Sequence, residues 1–413
     1  MPRERRRPKI KSERVMLDAI NRLIEIQVDR ENYPEDFPPL PEIPAGRYHD
    51  LKFAAAEIRM WDSTWLFVAL ESELPSHGSY VLFERLGKSV IIIRGKDGVV
   101  RAMHNVCRHR ATTLLDAPRG KATRLVCPYH AWCYSADGEL VAVPEAQDFA
   151  GLVKSTRGLT PIRCENWRSM IFINMNPDAD SLASFMEPAS ERSADFPLEG
   201  LIVKDIFTLE MDCNWKLAYH NFLEAYHLNS VHPKTLGPHL DSKAFVISLF
   251  GNGHTRLAAR KRVGKSSSIY QDSGKVPPDF GDLFRQYSIT IPSFPNFSAA
   301  LDACGFGVQT FWPLGSRRSI MEVRIVGWKD SPEDPEYWQQ IRKGFDDIVD
   351  EDIGLFARMQ KGVESGATNL LLGCQEKALY WFEEELDRRI GVENIPAGLR
   401  VNQSLAGQVV RTA

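Results

Sequence analysis

The alternation of apolar and polar positions separates a strand-rich front part from a mixed back part. From residue 15, Val15, Met16, Ile20, Leu23 and Ile24 recur at helical spacing. That spacing predicts an amphipathic helix packed on the body of the protein or on a neighbouring subunit. Pro34, Pro38, Pro39, Pro41 and Pro44 then mark an extended linker. Ser79 to Phe83, Ser89 to Arg94 and Val99 to Met103 read as short strands, separated by Gly87-Lys88 and Lys96-Asp97-Gly98 turns. Strand patterns return at Arg168 to Asn174, Leu201 to Leu209 and Ser319 to Trp328, and helical patterns cover residues 214–228, 335–365 and 374–389. The expected class is α+β, in three segments: helix and linker over 1–45, a β-rich module over 46–165, and over 166–413 an antiparallel sheet covered by helices. The first segment is expected to pack on the third.

Two Cys and two His stand out within the β-rich module. Cys107-Arg108-His109 and Cys127-Pro128-Tyr129-His130 are mixed thiol–imidazole pairs, seventeen residues apart. This order matches a Rieske 2Fe–2S site, where a His pair replaces a Cys pair on one iron. Structural zinc is the competing use of such a donor set. Zinc more often takes C-x-x-C with H-x-x-x-H. The flank His130-Ala131-Trp132-Cys133-Tyr134, with Gly138 and Pro144 beyond, resembles the second cluster loop of Rieske domains. Ala131 stands where that loop usually has Gly, and Cys133 is unusual.

Composition acts mainly by exclusion. The chain has 413 residues, 43% hydrophobic and 25% charged, with net charge −3, as for a soluble globular protein. No apolar run approaches the roughly 18 residues of a membrane span, so no membrane partner is expected. Seven Cys, an odd number at low density, suggest a reducing, cytoplasmic setting without a disulfide framework. The basic start (Arg3, Arg5, Arg6, Arg7, Lys9, Lys11) reads most simply as a solvated tail; Glu4, Glu13 and Asp18 argue against a transit peptide, and no nucleic-acid role is inferred. Gly251-Asn252-Gly253 lacks the third Gly of a dinucleotide fingerprint. Electrons are therefore expected from another protein rather than from a nicotinamide or flavin bound here.

A second candidate centre lies in the back part. Asn214 to His227 reads as one helix with the stripe Trp215, Tyr219, Phe222, Leu223 and Tyr226. His220, Glu224 and His227 run along one line of it, at i, i+4 and i+7. Pro233 biases His232 out of helical dihedrals, which lets a helical His227 and a His232 just past the helix end converge. On the helix over 335–365, Phe345, Ile348, Val349, Leu355, Phe356 and Met359 form the apolar stripe, and Asp352 lies within it. A buried carboxylate is costly without a cation or hydrogen bonds. Two imidazoles and a carboxylate make the facial triad of non-haem Fe(II) oxygenases. The local set His220, Glu224 and His227 is a rival triad that spacing leaves open.

The segment Asn214 to His232 resembles the iron-binding motif of Rieske non-haem iron oxygenase α subunits, at Asn214-Trp215-Lys216, Asn221, Glu224, Tyr226, His227 and His232. Asp352 followed by Gln360-Lys361-Gly362 resembles that family's distal ligand helix. The resemblance implies a Rieske domain followed by a helix-grip-like catalytic domain. It implies a cluster on Cys107, His109, Cys127 and His130, and a mononuclear Fe(II) on His227, His232 and Asp352, with O2 as co-substrate. By it Glu224 is the carboxylate bridging His227 to His130 across a subunit boundary, and Asn221 lies near the iron. His220 departs from the pattern, where an acid is common. A separate NAD(P)H reductase, with or without a ferredoxin, is implied, as is a homotrimer or a multiple of it; a β subunit stays open. The expected activity is mono- or dioxygenation of a small, aromatic substrate, as in aromatic hydrocarbon catabolism. Quaternary-amine oxidation and N- or O-demethylation are the alternatives, and a Rieske electron carrier is a remote one. Phe245, Phe250, Phe294, Phe297, Phe306 and Phe311 are core by default and pocket-lining at best; Arg256, Arg260, Lys261 and Arg262 read as a solvated basic loop that would alternatively meet a carboxylate substrate.

Overall fold

Strand-forming residues bounded by turn signals build the first unit. The computed structural model describes residues 6–187, 189–193, 196, 198–262 and 281–410. One unit holds Trp61–Leu182 and Glu199–Ile202, and the other holds the remaining described residues. The first contains β1 (Leu66–Leu70), β2 (Ser79–Arg85), β3 (Lys88–Arg94), β4 (Val100–His104), β5 (Arg119–Lys121), β6 (Arg124–Val126), β7 (Cys133–Ser135), β8 (Leu140–Ala142), β9 (Pro161–Trp167) and β10 (Met170–Asn174). A seven-stranded sheet runs β1-β10-β9-β4-β3-β2-β5, and a three-stranded one runs β6-β7-β8. The unit therefore extends past residue 165: β10 pairs antiparallel with both β9 and β1, so a cut at 165 would split a hairpin. At its other end it begins at Trp61 rather than residue 46.

The second unit begins with α1 (Arg6–Val28) and α2 (Leu51–Ser63, as far as Met60). Ile20 and Ile24 of α1 are buried, and the helix packs on the sheet described next. Arg3 and Arg5 of the basic start lie outside the described residues. α3 (Leu182–Met186) and α4 (Ala189–Arg192) precede β11 (Leu201–Met211). The strands β12 (Leu240–Leu249), β13 (Thr255–Lys261), β14 (Tyr287–Thr290), β15 (Phe297–Leu301), β16 (Phe306–Pro313) and β17 (Ser319–Trp328) complete a sheet ordered β11-β17-β16-β15-β14-β13-β12. From β12 to β17 each successive pair is antiparallel. The helices α5 (Trp215–His220), α6 (Leu228–Val231), α7 (Asp282–Gln286), α8 (Pro335–Glu364) and α9 (Lys377–Ile390) accompany it. An antiparallel sheet with helices packed on it is the α+β arrangement that the patterns imply.

Three expectations change. Residues 214–228 do not form one helix: α5 ends at His220, where Phe222 N and Leu223 N bond back three residues to Tyr219 and His220, tightening the last turn. Glu224 then takes the N–H groups of Tyr226 and His227, which diverts them from a helical ladder. Tyr226, expected in the stripe, is 67% exposed. On α8, Met359 is exposed and Gln360 is buried in its place. Arg256, Arg260 and Lys261 belong to strand β13, not to a loop.

Candidate functional site

Asn214 starts the segment that leads to His227 and His232 as an N-cap, its side chain accepting from Lys216 N at 3.0 Å. After α5 the chain turns, and His227 and His232 flank the single turn of α6. His232 stands at its C-cap, directly before Pro233, as that proline requires. Asp352 comes from the buried face of α8. One ligand atom from each of His227, His232 and Asp352 lies within 4.8 Å of the others, and among the described residues no other group of His, Cys, Asp and Glu converges in this way. His232 Nε2 is 3.2 Å from Asp352 Oδ1. The contact is not aligned as a hydrogen bond, and Oδ1, in a residue 3% exposed, accepts none. A buried carboxylate oxygen held unbonded between two imidazoles fits a cation.

Behind each imidazole sits a carboxylate. Glu224 Oε1 pairs with His227 Nδ1. Glu351 Oε2 lies 2.9 Å from His232 Nδ1 and also accepts from Thr235 Oγ1 at 2.5 Å. Such partners fix the tautomer and aim the other ring nitrogen outward. Farther out, burial and then the charge of Glu224 hold Glu376 above the usual carboxylate range. His220 takes no part. It is 3.4 Å from Glu383 on α9 and lies edge-on to Tyr48 and Phe382, so the rival local triad is not brought together.

The three ligand candidates open on a cavity of about 110 Å³ within the same unit. Asn221 and Phe222 line it beside the histidines. The sheet contributes Leu257, Ser288, Thr290 and Gln309, and α8 contributes Phe345. The six Phe residues considered at sequence level are all buried, and none of them lines this cavity. The basic residues of β13 and the Arg262 that follows it do not line it either: Lys261 Nζ donates to Phe284 O, and the Arg262 side chain donates to Gly237 O.

The two Cys–His loops of the other unit are built alike. Cys107 N donates to Thr112 O and Ala111 N to Cys107 O; Cys127 N donates to Trp132 O and Ala131 N to Cys127 O. Each loop passes through positive φ at the fourth residue after its cysteine start, +59° at Ala111 and +54° at Ala131. That explains why Gly suits position 131. The rings of His109 and His130 have centroids 4.7 Å apart, and Trp132 stacks on His109 at 4.8 Å. Both Nδ1 atoms are buried with no hydrogen-bond partner, and both thiols are buried and free. Tyr134 Oη lies 3.3 Å from Cys107 Sγ and accepts from Arg108 N at 2.9 Å. Burial, then the Cys107 thiol, push its phenol up, keeping it a donor. The four side chains do not close on one point as a single-ion site would. A dinuclear cluster, with thiolates on one metal and imidazoles on the other, has that spread; structural zinc does not.

Glu351 and Gln309 escaped the sequence reading. Glu351 precedes Asp352 and sits off the apolar stripe, so only its place opposite the Pro233-Lys234-Thr235 turn would have marked it. Gln309 stands in a strand with no distinguishing pattern.

Two family models match the chain: the Rieske [2Fe-2S] domain over residues 64–157 and the ring hydroxylating alpha subunit (catalytic domain) over residues 198–392. The glycine betaine monooxygenase oxygenase subunit of Chromohalobacter salexigens is 27% identical over 367 residues, 79% of this chain and 80% of that protein. A quaternary ammonium Rieske monooxygenase linked to carnitine oxidation by gut microbiota has a solved structure that superposes with TM-score 0.74 at 22% identity, covering 87% of this chain and 99% of that one. Naphthalene 1,2-dioxygenase from Rhodococcus sp., bound to indole, gives TM-score 0.73 at 22% identity, covering 85% and 95%. The two structural likenesses establish the fold.

Proposed function

Because the chain belongs to the Rieske non-haem iron oxygenase large subunits, oxidoreductases that use a 2Fe–2S cluster, a mononuclear iron and O2, we propose that it is a terminal oxygenase hydroxylating a small aromatic substrate. When bound, the two groups supply single-electron transfer and dioxygen activation. Cys107 and Cys127 would hold one iron of the cluster, and His109 and His130 the other. His227, His232 and Asp352 would hold the mononuclear iron. Glu224 orients His227 and is the group through which His130 of a neighbouring copy connects to it; Asn221 borders the reacting space. The reading rests on one observation, the convergence of His227, His232 and Asp352 on the wall of a mostly apolar cavity.

Electrons come, on this reading, from a separate NAD(P)H reductase, directly or through a ferredoxin, in a reducing cytoplasm. No described helix is long and apolar enough to cross a membrane. The assembly is a homotrimer or a multiple of it. Support comes from Tyr226 and Leu371, 67% and 77% exposed in one groove close to Glu224, and from Tyr129, 55% exposed beside His130. These are aromatic and apolar surfaces of the kind a neighbouring copy covers.

Oxidation of a quaternary amine is the second reading, carried by the named activity of the betaine relative. The deciding experiment supplies the reconstituted full chain with NAD(P)H, a generic reductase and a panel of aromatic and quaternary-amine substrates. Oxygen uptake coupled to ring hydroxylation supports the first reading. Formaldehyde release from glycine betaine replaces it with the second. No coupled uptake, with zinc and no acid-labile sulfide on metal analysis, overturns both.

A further inference from the structure

Gln309 is a polar feature of the cavity that neither the metal ligands nor their carboxylate partners explain. It projects from β16, is 1% exposed, and lines the cavity, and its Oε1 is buried without a hydrogen-bond partner. A buried amide oxygen is costly unless something donates to it. The placement is built: a Cβ at Gly307 would come within 2.8 Å of Gln309 Nε2 and 2.7 Å of the Phe345 ring. Glycine at 307 thus makes room for Gln309 and Phe345 side by side on the cavity wall.

The charge around it is equally informative. Among the described lining residues there is no Lys, Arg, Tyr or Trp. The ionisable groups are Glu224, His227, His232 and Asp352; Glu224 is engaged by His227 and two backbone N–H groups, and Asp352 faces the histidines. The aromatic faces of the described wall are those of Phe222 and Phe345, so a substrate meets an unpaired amide oxygen beside an apolar, aromatic surface.

We propose that the cavity takes a ring substrate bearing an O–H or N–H group, which donates to Gln309 Oε1 and sets the ring's orientation. Gln309 is then a specificity-determining residue. This deepens the oxygenase reading and rests on its placing substrate in this cavity.

The test is equilibrium binding to the iron-loaded full chain, followed calorimetrically with phenol, anisole and glycine betaine. Phenol binds at least about tenfold more tightly than anisole, which has lost only the donor, and glycine betaine does not bind. In Gln309→Leu the phenol preference collapses, with anisole binding retained. Equal binding of phenol and anisole by the native protein overturns the proposal without any variant. Binding of glycine betaine in preference to phenol overturns it too, as does an unchanged phenol preference in Gln309→Leu. Because binding is read separately from reductase-driven oxygen uptake, loss of uptake with the preference intact counts against the oxygenase reading alone.

Discussion

Glu351 Oε2 lies 2.9 Å from Nδ1 of His232, so both histidines that face Asp352 have a carboxylate at their back. The two carboxylates differ in surroundings. Glu351 ties His232 to Thr235, and the next residue, Leu236, is part of the cavity wall. It therefore anchors an iron-ligand candidate and a pocket wall together. Glu351→Ala frees the ring to choose the other tautomer and rotamer, and iron affinity falls about 10–100-fold, as is usual for such partners. Metal analysis reads this as one iron lost per chain, with both acid-labile sulfides retained. Full iron retention would refute the anchoring role.

Glu224 predicts a different phenotype. Glu224→Gln keeps one amide oxygen to accept from His227 Nδ1–H, giving up the second acceptor that the backbone N–H groups of Tyr226 and His227 share, so the ring keeps its tautomer and both metals stay bound. What is lost is the charge at the proposed connection to His130 of a neighbouring copy. Stopped-flow oxidation of the reduced cluster in the presence of substrate and O2 slows, while iron and sulfide counts stay native. Iron loss from this variant would assign Glu224 to the metal's support instead.

At the other centre, Tyr134 is the group to test. Its hydroxyl is 3.3 Å from Cys107 Sγ and stays protonated. A donor to a cluster sulfur favours the reduced, more negative cluster, so hydrogen bonding raises the potential. Tyr134→Phe removes one such bond, of net value about 0.5–1.5 kcal/mol. For a one-electron couple that lowers the midpoint by roughly 20–65 mV. Protein-film voltammetry measures it, and an unchanged midpoint would mean the phenol acts only in packing.

The candidate donor sets of both centres stood out in the sequence because metal sites demand particular residue types at short spacings. Asp352 was legible as an acid on a buried stripe, and His232 because Pro233 ends the turn before it. The helical line through His220, Glu224 and His227 misled, since local hydrogen bonds by Glu224 outcompete helix propensity over 221–227. His220 points instead to Glu383, more than a hundred residues away, which no periodicity announces. Gln309 and Glu351 matter through tertiary neighbours: the one through Gly307 and Phe345, the other through Thr235. The module boundary at residue 165 failed for a similar reason, because the pairing of β10 with β1 joins segments about a hundred residues apart.

That displaced histidine belongs to a buried ionic network, and the network makes stability sensitive to acid. Arg47 meets Glu383 at 2.5 Å and Asp387 at 2.7 Å, all three side chains fully buried, and Lys216 pairs with Glu57 beside them. Burial alone would raise Glu383; Arg47, His220 and Lys216 outweigh it and hold the carboxyl below its ordinary range. Burial lowers His220. For both groups the unfolded chain binds protons more readily than the folded one, so acidification removes their share of the stability; burial raises Asp387 and Glu57, whose shares carry the opposite sign. The loss begins through His220 as pH falls below about 6.5 and steepens through Glu383 below about 4.3, their unfolded values. Glu383→Gln leaves Arg47 with half its counter-charge in a dry interior, which costs about 3–5 kcal/mol at neutral pH. It also removes the steeper acid limb. Urea midpoints measured from pH 3.5 to 8 read both effects. A variant as stable as the native protein at pH 7, or one with the same acid slope, would show that Glu383 is not the keystone of this network.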